Sequence, residues 1–345
     1  MWDLTVPIIA APMAGGPSTP ALVEAVARVG GLGFLAAGYK SVGALEEEIA
    51  AVPADIPFGV NVFVPGPDLR DRPGVEAYRE SLRPVAQRYR SELPAIVASD
   101  DDAYLAKIEL LLRRRVRLVS FTFGLPAPDV IDALHDGGAT VILTVADAAD
   151  ARRAVDAGAD ALCVQGAEAG GHRATLDLDA VPNTTSTREL VTEVVAQSPI
   201  PVIGAGGVAT GRQLAELLDA GAVAVQIGTA LLDADEAGTR PTYRAALHDP
   251  RFSETVVTRA FSGRPARALR NRFTDDYTAT APSEYPTVHH LTSPLRAAAA
   301  AADDADGLNL WSGSSGVAVP RGPAGEIVTR MWNEATVVGS RAERL

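Results

Sequence analysis

Short runs of apolar residues alternate along the chain with segments whose apolar residues recur at helical spacing. The runs cover residues 7–14, 32–37, 58–64, 118–123, 140–146, 161–166, 202–205 and 224–228. Most are continuously apolar, which is typical of strands buried on both faces. Eight strands that alternate with helices predict an α/β chain folded as a (β/α)8 TIM barrel. A doubly wound open sheet is the alternative that this pattern leaves.

Residues that a purely structural strand does not need stand at the C-terminal ends of these runs or, for Asn61, inside one. They are Met13, Asn61, Gln165, the pair Gly206 and Gly207, and Gln226. In a barrel the loops at these ends converge on one axis, where catalytic residues lie. We therefore expect a single site built from several strand ends.

The alternation stops near residue 233, where the chain becomes mostly polar and rich in proline. We predict that residues 233–310 form a small, mostly helical second domain, inserted near the C-terminus as a lid. Residues 1–232 and 311–345 then form the barrel, with a helix near the C-terminus that packs back on it.

The charge and cysteine content exclude several classes of protein. The 345 residues include 43 acidic and 31 basic side chains, a net charge of -12. Such a chain is not expected to bind nucleic acid or an anionic membrane surface as its main task. The single cysteine, Cys163, excludes an internal disulfide and a cysteine-based zinc site. With no targeting signal at the N-terminus, we expect a cytoplasmic protein.

Glycines after the seventh and eighth runs predict a phosphate site. Gly206 and Gly207 allow close approach of the backbone, so that their N–H groups can face an oxyanion. Gln226, Ile227, Gly228 and Thr229 end the eighth run and offer a second small turn, which includes a hydroxyl. Barrels often bind phosphate at these two loops.

His172 is the candidate catalytic residue. It follows Gly170 and Gly171 on a segment that we expect to be a loop at the active face. An imidazole with a pKa near 6.5 is suited to proton transfer at neutral pH. Apart from Glu168, no carboxylate or histidine stands at ligand spacing from it, so no metal is predicted.

Three amides, an aromatic segment and an arginine-rich segment complete the candidates. Asn61, Gln165 and Gln226 are suited to hydrogen bonding at the edge of a flat heterocycle. One of the rings of Phe121 and Phe123 is expected near the ligand, and the other in the core. The four arginines between residues 264 and 272 are expected on a solvated helix face or in a salt-bridged domain junction.

With these motifs in this order, the chain resembles the nitronate monooxygenase family of FMN-dependent TIM-barrel flavoproteins. The resemblance spans nearly the whole chain, and its most specific part is the segment from Glu168 to Arg173. It implies a non-covalently bound FMN, with His172 as the catalytic residue. The FMN contacts that it implies are Met13, Asn61, Gln165, Gly170, Gly171, Gly206, Gly207, Gln226, Ile227, Gly228 and Thr229.

The resemblance also implies the reaction, in which alkyl nitronates such as propionate 3-nitronate react with O2 to give a carbonyl compound and nitrite. His172 is expected to position a nitronate, or to take the α-proton of a nitroalkane. On this basis His172→Asn should lower turnover of a nitroalkane far more than turnover of its nitronate. The partners expected are a small-molecule substrate and O2, with a homodimer as a possible assembly.

The chain departs from the family pattern at several positions. Ala174 stands where a glycine is usual, and Ala10 precedes Ala11 where a glutamine is frequent. Near the C-terminus, Ser314 and Ser315 replace the usual motif. Two alternatives stay open: an FMN-dependent NAD(P)H:quinone or enoyl-thioester reductase, and a non-redox barrel that binds a phosphorylated ligand.

Overall fold

In a computed structural model, which describes residues 4–315 and 318–342, eight parallel strands close into a barrel. The closed order is β1-β2-β3-β4-β5-β6-β8-β9. These strands are β1 (Ile8–Ala10), β2 (Leu32–Ala36), β3 (Phe58–Phe63), β4 (Leu118–Thr122), β5 (Thr140–Val145), β6 (Ala161–Gln165), β8 (Val202–Ala205) and β9 (Ala224–Ile227). The predicted (β/α)8 fold is confirmed. Each predicted run contains one of these strands.

Helices surround the barrel. They are α1 (Pro20–Arg28), α2 (Val42–Ala51), α5 (Tyr104–Arg113), α6 (Pro128–Asp136), α7 (Ala148–Asp156), α8 (Thr187–Val195) and α9 (Gly211–Asp219). Ser and Thr side chains cap several of them, as Thr19 Oγ1 does by accepting from the N–H of Leu22 at 3.0 Å. No helix within residues 4–315 and 318–342 is both long and apolar enough to cross a membrane.

The strands are buried on both faces, as their continuous apolar pattern predicts. Ile8, Leu35 and Val60 pack against the surrounding helices, whereas alternate residues such as Ile9 and Phe34 belong to a second buried cluster inside the barrel. A small side chain is required where α1 crosses β2. A Cβ on Gly33 would lie 2.6 Å from the Cα of Val23.

A second layer covers the C-terminal end of the barrel and comes from two parts of the chain. One part holds α3 (Arg72–Ser81) and α4 (Arg83–Tyr89); the other holds α10 (Pro241–Ala246), α11 (Arg272–Tyr277) and α12 (Thr287–Ala301). Tyr78 and Leu82 from the first part share an apolar cluster with Phe273 and Leu291 from the second. The segment between β3 and β4 therefore packs with residues 233–310.

Residues 233–310 also contain a hairpin that the sequence did not predict, β10 (Thr255–Thr258) and β11 (Ala266–Leu269). A two-residue strand, β7 (Gly171–His172), adds to its edge, with His172 opposite Ala266. The expectation that His172 lies on a loop was therefore wrong. Local patterning could not reveal this strand, because its partner lies far along the chain.

The chain returns to the barrel through α13 (Ala324–Ala342), which packs on α9 and α1. Ile327 and Met331 are buried in the main core. The N–H of Gly211 donates to Glu334 Oε2 at 3.1 Å. Residues 1–3, 316–317 and 343–345 of the predicted barrel segments lie outside the described residues, and Gly316 of the C-terminal motif is among them.

Candidate active site

A cavity of about 490 Å³ opens at the C-terminal ends of the barrel strands, beneath the second layer. The predicted site residues all line it, namely Met13, Asn61, Gln165, Gly170, Gly171, His172, Gly206, Gly207, Gln226, Ile227, Gly228 and Thr229. Their convergence follows from the barrel, since parallel strands bring their C-terminal ends to one rim. The cavity is within the size range of sites for cofactors and small molecules.

One end of the cavity is formed by backbone donors. Gly206 and Gly207 have φ angles of +129° and +68°. Within residues 4–315 and 318–342, the N–H groups of Gly206, Gly207 and Val208 have no hydrogen-bond acceptor. Successive free N–H groups beside the start of a helix form a concave site for an anion. This end of the cavity is therefore suited to a phosphate.

The three amides differ in how much of their hydrogen-bonding capacity the protein uses. Ser120 Oγ and Thr122 Oγ1 both donate to Asn61 Oδ1, at 2.8 and 3.0 Å. Asn61 Nδ2 and the amide of Gln226 have no partner in the part of the chain that the structure describes. Both amides can thus bond a ligand.

Gln165 instead holds the segment that carries His172. Its Nε2 donates to the carbonyl of His172 at 3.0 Å, and its Oε1 accepts from the N–H of Ala174 at 2.9 Å. Ala174, which stands where a glycine is usual, is fully buried, so its methyl group is accommodated within the packed interior. Gln165 therefore fixes β7 at the rim of the barrel.

His172 lies in an aromatic enclosure. Its Nε2 is 2.8 Å from Ser262 Oγ. The rings of Trp311, Phe123 and Tyr285 lie 5.2, 5.3 and 6.1 Å from the imidazole, centroid to centroid. Phe121 points into the core, which leaves Phe123 as the ring of its segment at the cavity.

The surroundings of His172 keep its imidazole neutral. Burial, followed by the positive charges of Arg264 and Arg296, lowers the pKa of His172 from 6.5 to about 3. A neutral imidazole can donate one hydrogen bond and accept another, and it carries no charge of its own. Any positive potential at this end of the cavity comes from the arginines.

Comparison with known proteins identifies the family. The family model for nitronate monooxygenase matches residues 1–334. The chain belongs to the nitronate monooxygenase family. It is accordingly an oxidoreductase. It is 36% identical over 348 residues to a probable nitronate monooxygenase of Staphylococcus saprophyticus, covering 99% of this chain and 98% of that one.

Solved structures agree with this family. A nitroalkane oxidase from Streptomyces ansochromogenes superposes with a TM-score of 0.95 at 44% identity, covering 99% of both chains. FabK from Thermotoga maritima superposes with a TM-score of 0.78 at 27% identity, covering 99% of this chain and 96% of that one. The similarity therefore extends over the barrel and the second layer alike.

In this member of the nitronate monooxygenase family, Arg264 and Arg267 have surroundings other than those expected from the sequence. Arg264 is 1% exposed, and its Nη1 and Nη2 donate to the carbonyls of Thr175 and Phe123. Arg267 on β11 donates to the carbonyl of Ala167. Neither lies on a solvated helix face, and neither forms a salt bridge with any residue that the structure describes. The expectation was wrong because these side chains, from β11 and the bend that precedes it, turn inward and find backbone acceptors.

The other two arginines of that segment are exposed and ion-paired, as expected. Arg270 contacts Glu254 and Asp275, and Arg272 contacts Asp304. The difference follows from position, since Arg270 and Arg272 lie at the end of β11 and the start of α11, where the chain reaches the surface.

Sequence reasoning missed one wall of the cavity. Tyr39, His289, Ser293 and Arg296 line it, and three of these lie on α12. The spacing of His289, Ser293 and Arg296 places them on one helix face, and that was the signal available in the sequence. That spacing does not indicate that this face of α12 meets the barrel.

No group of three or more histidine, cysteine, aspartate or glutamate side chains in the described residues is arranged to hold a metal ion. Glu168, the one carboxylate near His172 in sequence, has a structural role instead. Its Oε2 accepts from the N–H and the Oγ1 of Thr187, at 2.8 and 2.7 Å.

Proposed function

We propose that this protein binds FMN and uses it to oxidise alkyl nitronates, of which propionate 3-nitronate is an example. O2 is the oxidant, and the products are a carbonyl compound and nitrite. The observation that carries the proposal is a single cavity with free backbone donors at one end and His172 in an aromatic enclosure at the other. The first end is suited to a phosphate, and the second to a small anion that carries an alkyl group.

The residues present fit a flavin mononucleotide. The N–H groups of Gly206, Gly207 and Val208 would hold the phosphate, together with the turn of Gln226, Ile227, Gly228 and Thr229. Thr229 Oγ1 already accepts from the N–H of Gly313 at 2.9 Å, which ties the turn to the chain beyond the lid. Asn61, Gln165, Met13, Gly170 and Gly171 would contact the flavin rings. FMN supplies the electron transfer between the nitronate and O2.

His172 is the residue that we propose to contact the substrate. As a neutral imidazole it would donate a hydrogen bond to a nitronate oxygen, while Arg264 and Arg296 supply positive potential. For a neutral nitroalkane the same imidazole would have to accept the α-proton. Phe123, Tyr285 and Trp311 exclude water from that side of the cavity.

An absorbance spectrum of the purified protein, followed by anaerobic addition of propionate 3-nitronate, tests the proposal. Flavin bands that change with the nitronate, and nitrite release once O2 is admitted, are the expected results. Flavin bands that ignore the nitronate and bleach with NADH or NADPH would assign the protein to the quinone or enoyl-thioester reductases. A colourless protein would favour the non-redox barrel.

We also propose that the protein is cytoplasmic and forms a homodimer, and that residues 233–310 act as a lid on the barrel. Light scattering coupled to gel filtration checks the dimer, since a single chain has a mass of 35.9 kDa. Proteolytic cleavage within residues 233–310 that slows when FMN and a substrate analogue are added would support the lid.

A further inference from the structure

The guanidinium of Arg296 lines the cavity without a carboxylate partner. Its Nε donates to Thr292 Oγ1 at 3.2 Å. Its Nη2 lies 2.7 Å from Ser293 Oγ and 3.2 Å from both the carbonyl and the Nδ1 of His289. Within residues 4–315 and 318–342, Nη1 has no hydrogen-bond partner and no carboxylate forms an ion pair with this side chain. Nη1 is therefore left for a ligand.

Two other sheltered cations of this chain pair with carboxylates, and others use backbone carbonyls. Lys107 is fully buried, and its Nζ lies 2.8 Å from Asp102 Oδ2. Arg244 pairs with Asp233 at 2.9 Å. Arg264 and Arg173 have no carboxylate partner among the described residues. Both terminal nitrogens of Arg264 donate to carbonyls, whereas Arg173 Nη1 donates to the carbonyl of Gly166 and its Nη2 has no partner there. A sheltered cation without a counterion is unfavourable, which favours binding of an anion there.

Arg296 lies on the His172 side of the cavity. The ring of His289, which Arg296 contacts, stacks on Tyr39 with centroids 3.9 Å apart. The hydroxyl of Tyr39 is 3.3 Å from that of Tyr285, whose ring lies beside His172. The free N–H groups suited to phosphate come instead from the loops after β8 and β9. A phosphate bound there does not require Arg296.

We propose that Arg296, oriented by Ser293, forms a subsite for a second anionic group on the substrate, a carboxylate remote from the reacting carbon. The free Nη1 of the planar guanidinium can donate to a carboxylate. The hydroxyl of Ser293 donates to the carbonyl of His289 at 2.8 Å and accepts from Arg296 Nη2, so it orients the guanidinium. The subsite makes the enzyme selective for nitronates that carry a carboxylate over uncharged alkyl nitronates. This inference rests on the proposed function and assigns its selectivity to one side chain.

The test compares two substrates of nearly equal size, the nitronates of 3-nitropropanoate and 3-nitropropanamide. Wild-type holoenzyme should have a kcat/KM about 10- to 100-fold higher for the carboxylate, the range expected for a hydrogen-bonded charge. In Arg296→Met this ratio should fall towards one, chiefly through a higher KM for the carboxylate. Arg296→Lys keeps the charge and should retain part of the preference.

Arg72→Met is the matched control, because it removes one positive charge from an exposed position on α3. It should keep the wild-type ratio. Flavin content of each variant is measured first. If Arg296→Met does not hold flavin, the wild-type ratio and the Arg296→Lys variant decide the question.

A second measurement needs no turnover. Succinate is redox-inert and has the length of 3-nitropropanoate, so it should perturb the flavin absorbance of the wild type and bind about 10-fold or more weakly to Arg296→Met. A wild-type ratio near one, or an equal loss for both nitronates in Arg296→Met, would overturn the subsite. The latter result would mean that Arg296 acts on the flavin or on the nitronate group.

The two proposals fail in different ways. If the wild type oxidises both nitronates without preference and succinate does not bind, the subsite is wrong and the proposed function stands. If the wild type oxidises neither nitronate, the proposed function is wrong. Succinate binding that depends on Arg296 would then still support a carboxylate site.

Discussion

Replacing His172 with asparagine distinguishes two roles of an imidazole at this site. One is a base that removes the α-proton of a nitroalkane, and the other is a hydrogen-bonding group that holds a nitronate. Burial, with Arg264 and Arg296, lowers the pKa of His172 to about 3. The imidazole is therefore neutral at pH 7, and it is a weaker base than an imidazole in water.

The size of the effect follows from that pKa. A fall from 6.5 to about 3 weakens the imidazole as a proton acceptor by about 5 kcal/mol, or about 3 × 10³-fold. Proton abstraction from a nitroalkane is slowed by up to that factor relative to an imidazole of pKa 6.5, so wild-type kcat/KM at pH 7 should be lower for the nitroalkane than for its preformed nitronate by well over about 10-fold. With the nitronate, His172→Asn removes one hydrogen bond to an anion, a loss of roughly 10- to 100-fold.

The assay is the initial rate of nitrite release from 1-nitropropane and from its preformed nitronate, measured between pH 6 and 8 with FMN content matched. The sequence led us to expect a far larger loss for the nitroalkane in His172→Asn, whereas the lowered pKa predicts similar losses for both substrates. Wild-type rates for the two substrates within about 10-fold of each other, with an inflection near pH 6.5, would refute the reasoning.

Two further predictions concern Gly171, which lines the cavity, and the ion pair between Lys107 and Asp102. Gly171→Ala and Gly322→Ala both introduce a Cβ at positive φ with no atom within 4 Å, so each should cost about 1 to 2 kcal/mol. Because Gly171 lines the cavity, FMN affinity should fall about 10-fold or more in Gly171→Ala and stay near wild type in Gly322→Ala. Equal Kd values for FMN in the two variants would contradict this. Lys107→Met leaves the carboxylate of Asp102 unpaired and should lower the free energy of unfolding in urea by about 3 kcal/mol, with partial recovery when Asp102→Asn is added. An unchanged free energy of unfolding would exclude a stabilising role for this pair.

Much of the barrel could be predicted from the sequence, because its signals are local. A strand buried on both faces is continuously apolar, and residues 202–205 were predicted with the bounds that the structure has. The glycines of the predicted phosphate site were also visible, since a backbone that approaches a ligand closely requires them. Once the barrel was inferred, its geometry brought these strand ends to one rim.

The second layer was predicted less well. The hairpin of β10 and β11 pairs with Gly171 and His172, and helices α3 and α4 pack against α12. These contacts join segments that are distant along the chain, and no periodicity within either segment specifies its partner. Residues 233–310 contain the hairpin β10–β11 as well as helices, and their role as a lid stays a prediction.

What the sequence determined by itself was the barrel and the identity of the residues at its strand ends, because both depend on patterns a few residues long. The tertiary structure alone decided the chemistry of those residues. His172 is neutral because burial removes water and two arginines from the second layer bring their charge near it. Arg296 faces the cavity because α12 folds across the barrel mouth. Burial and charge are properties of the whole packed chain, and they arise only when its distant segments meet.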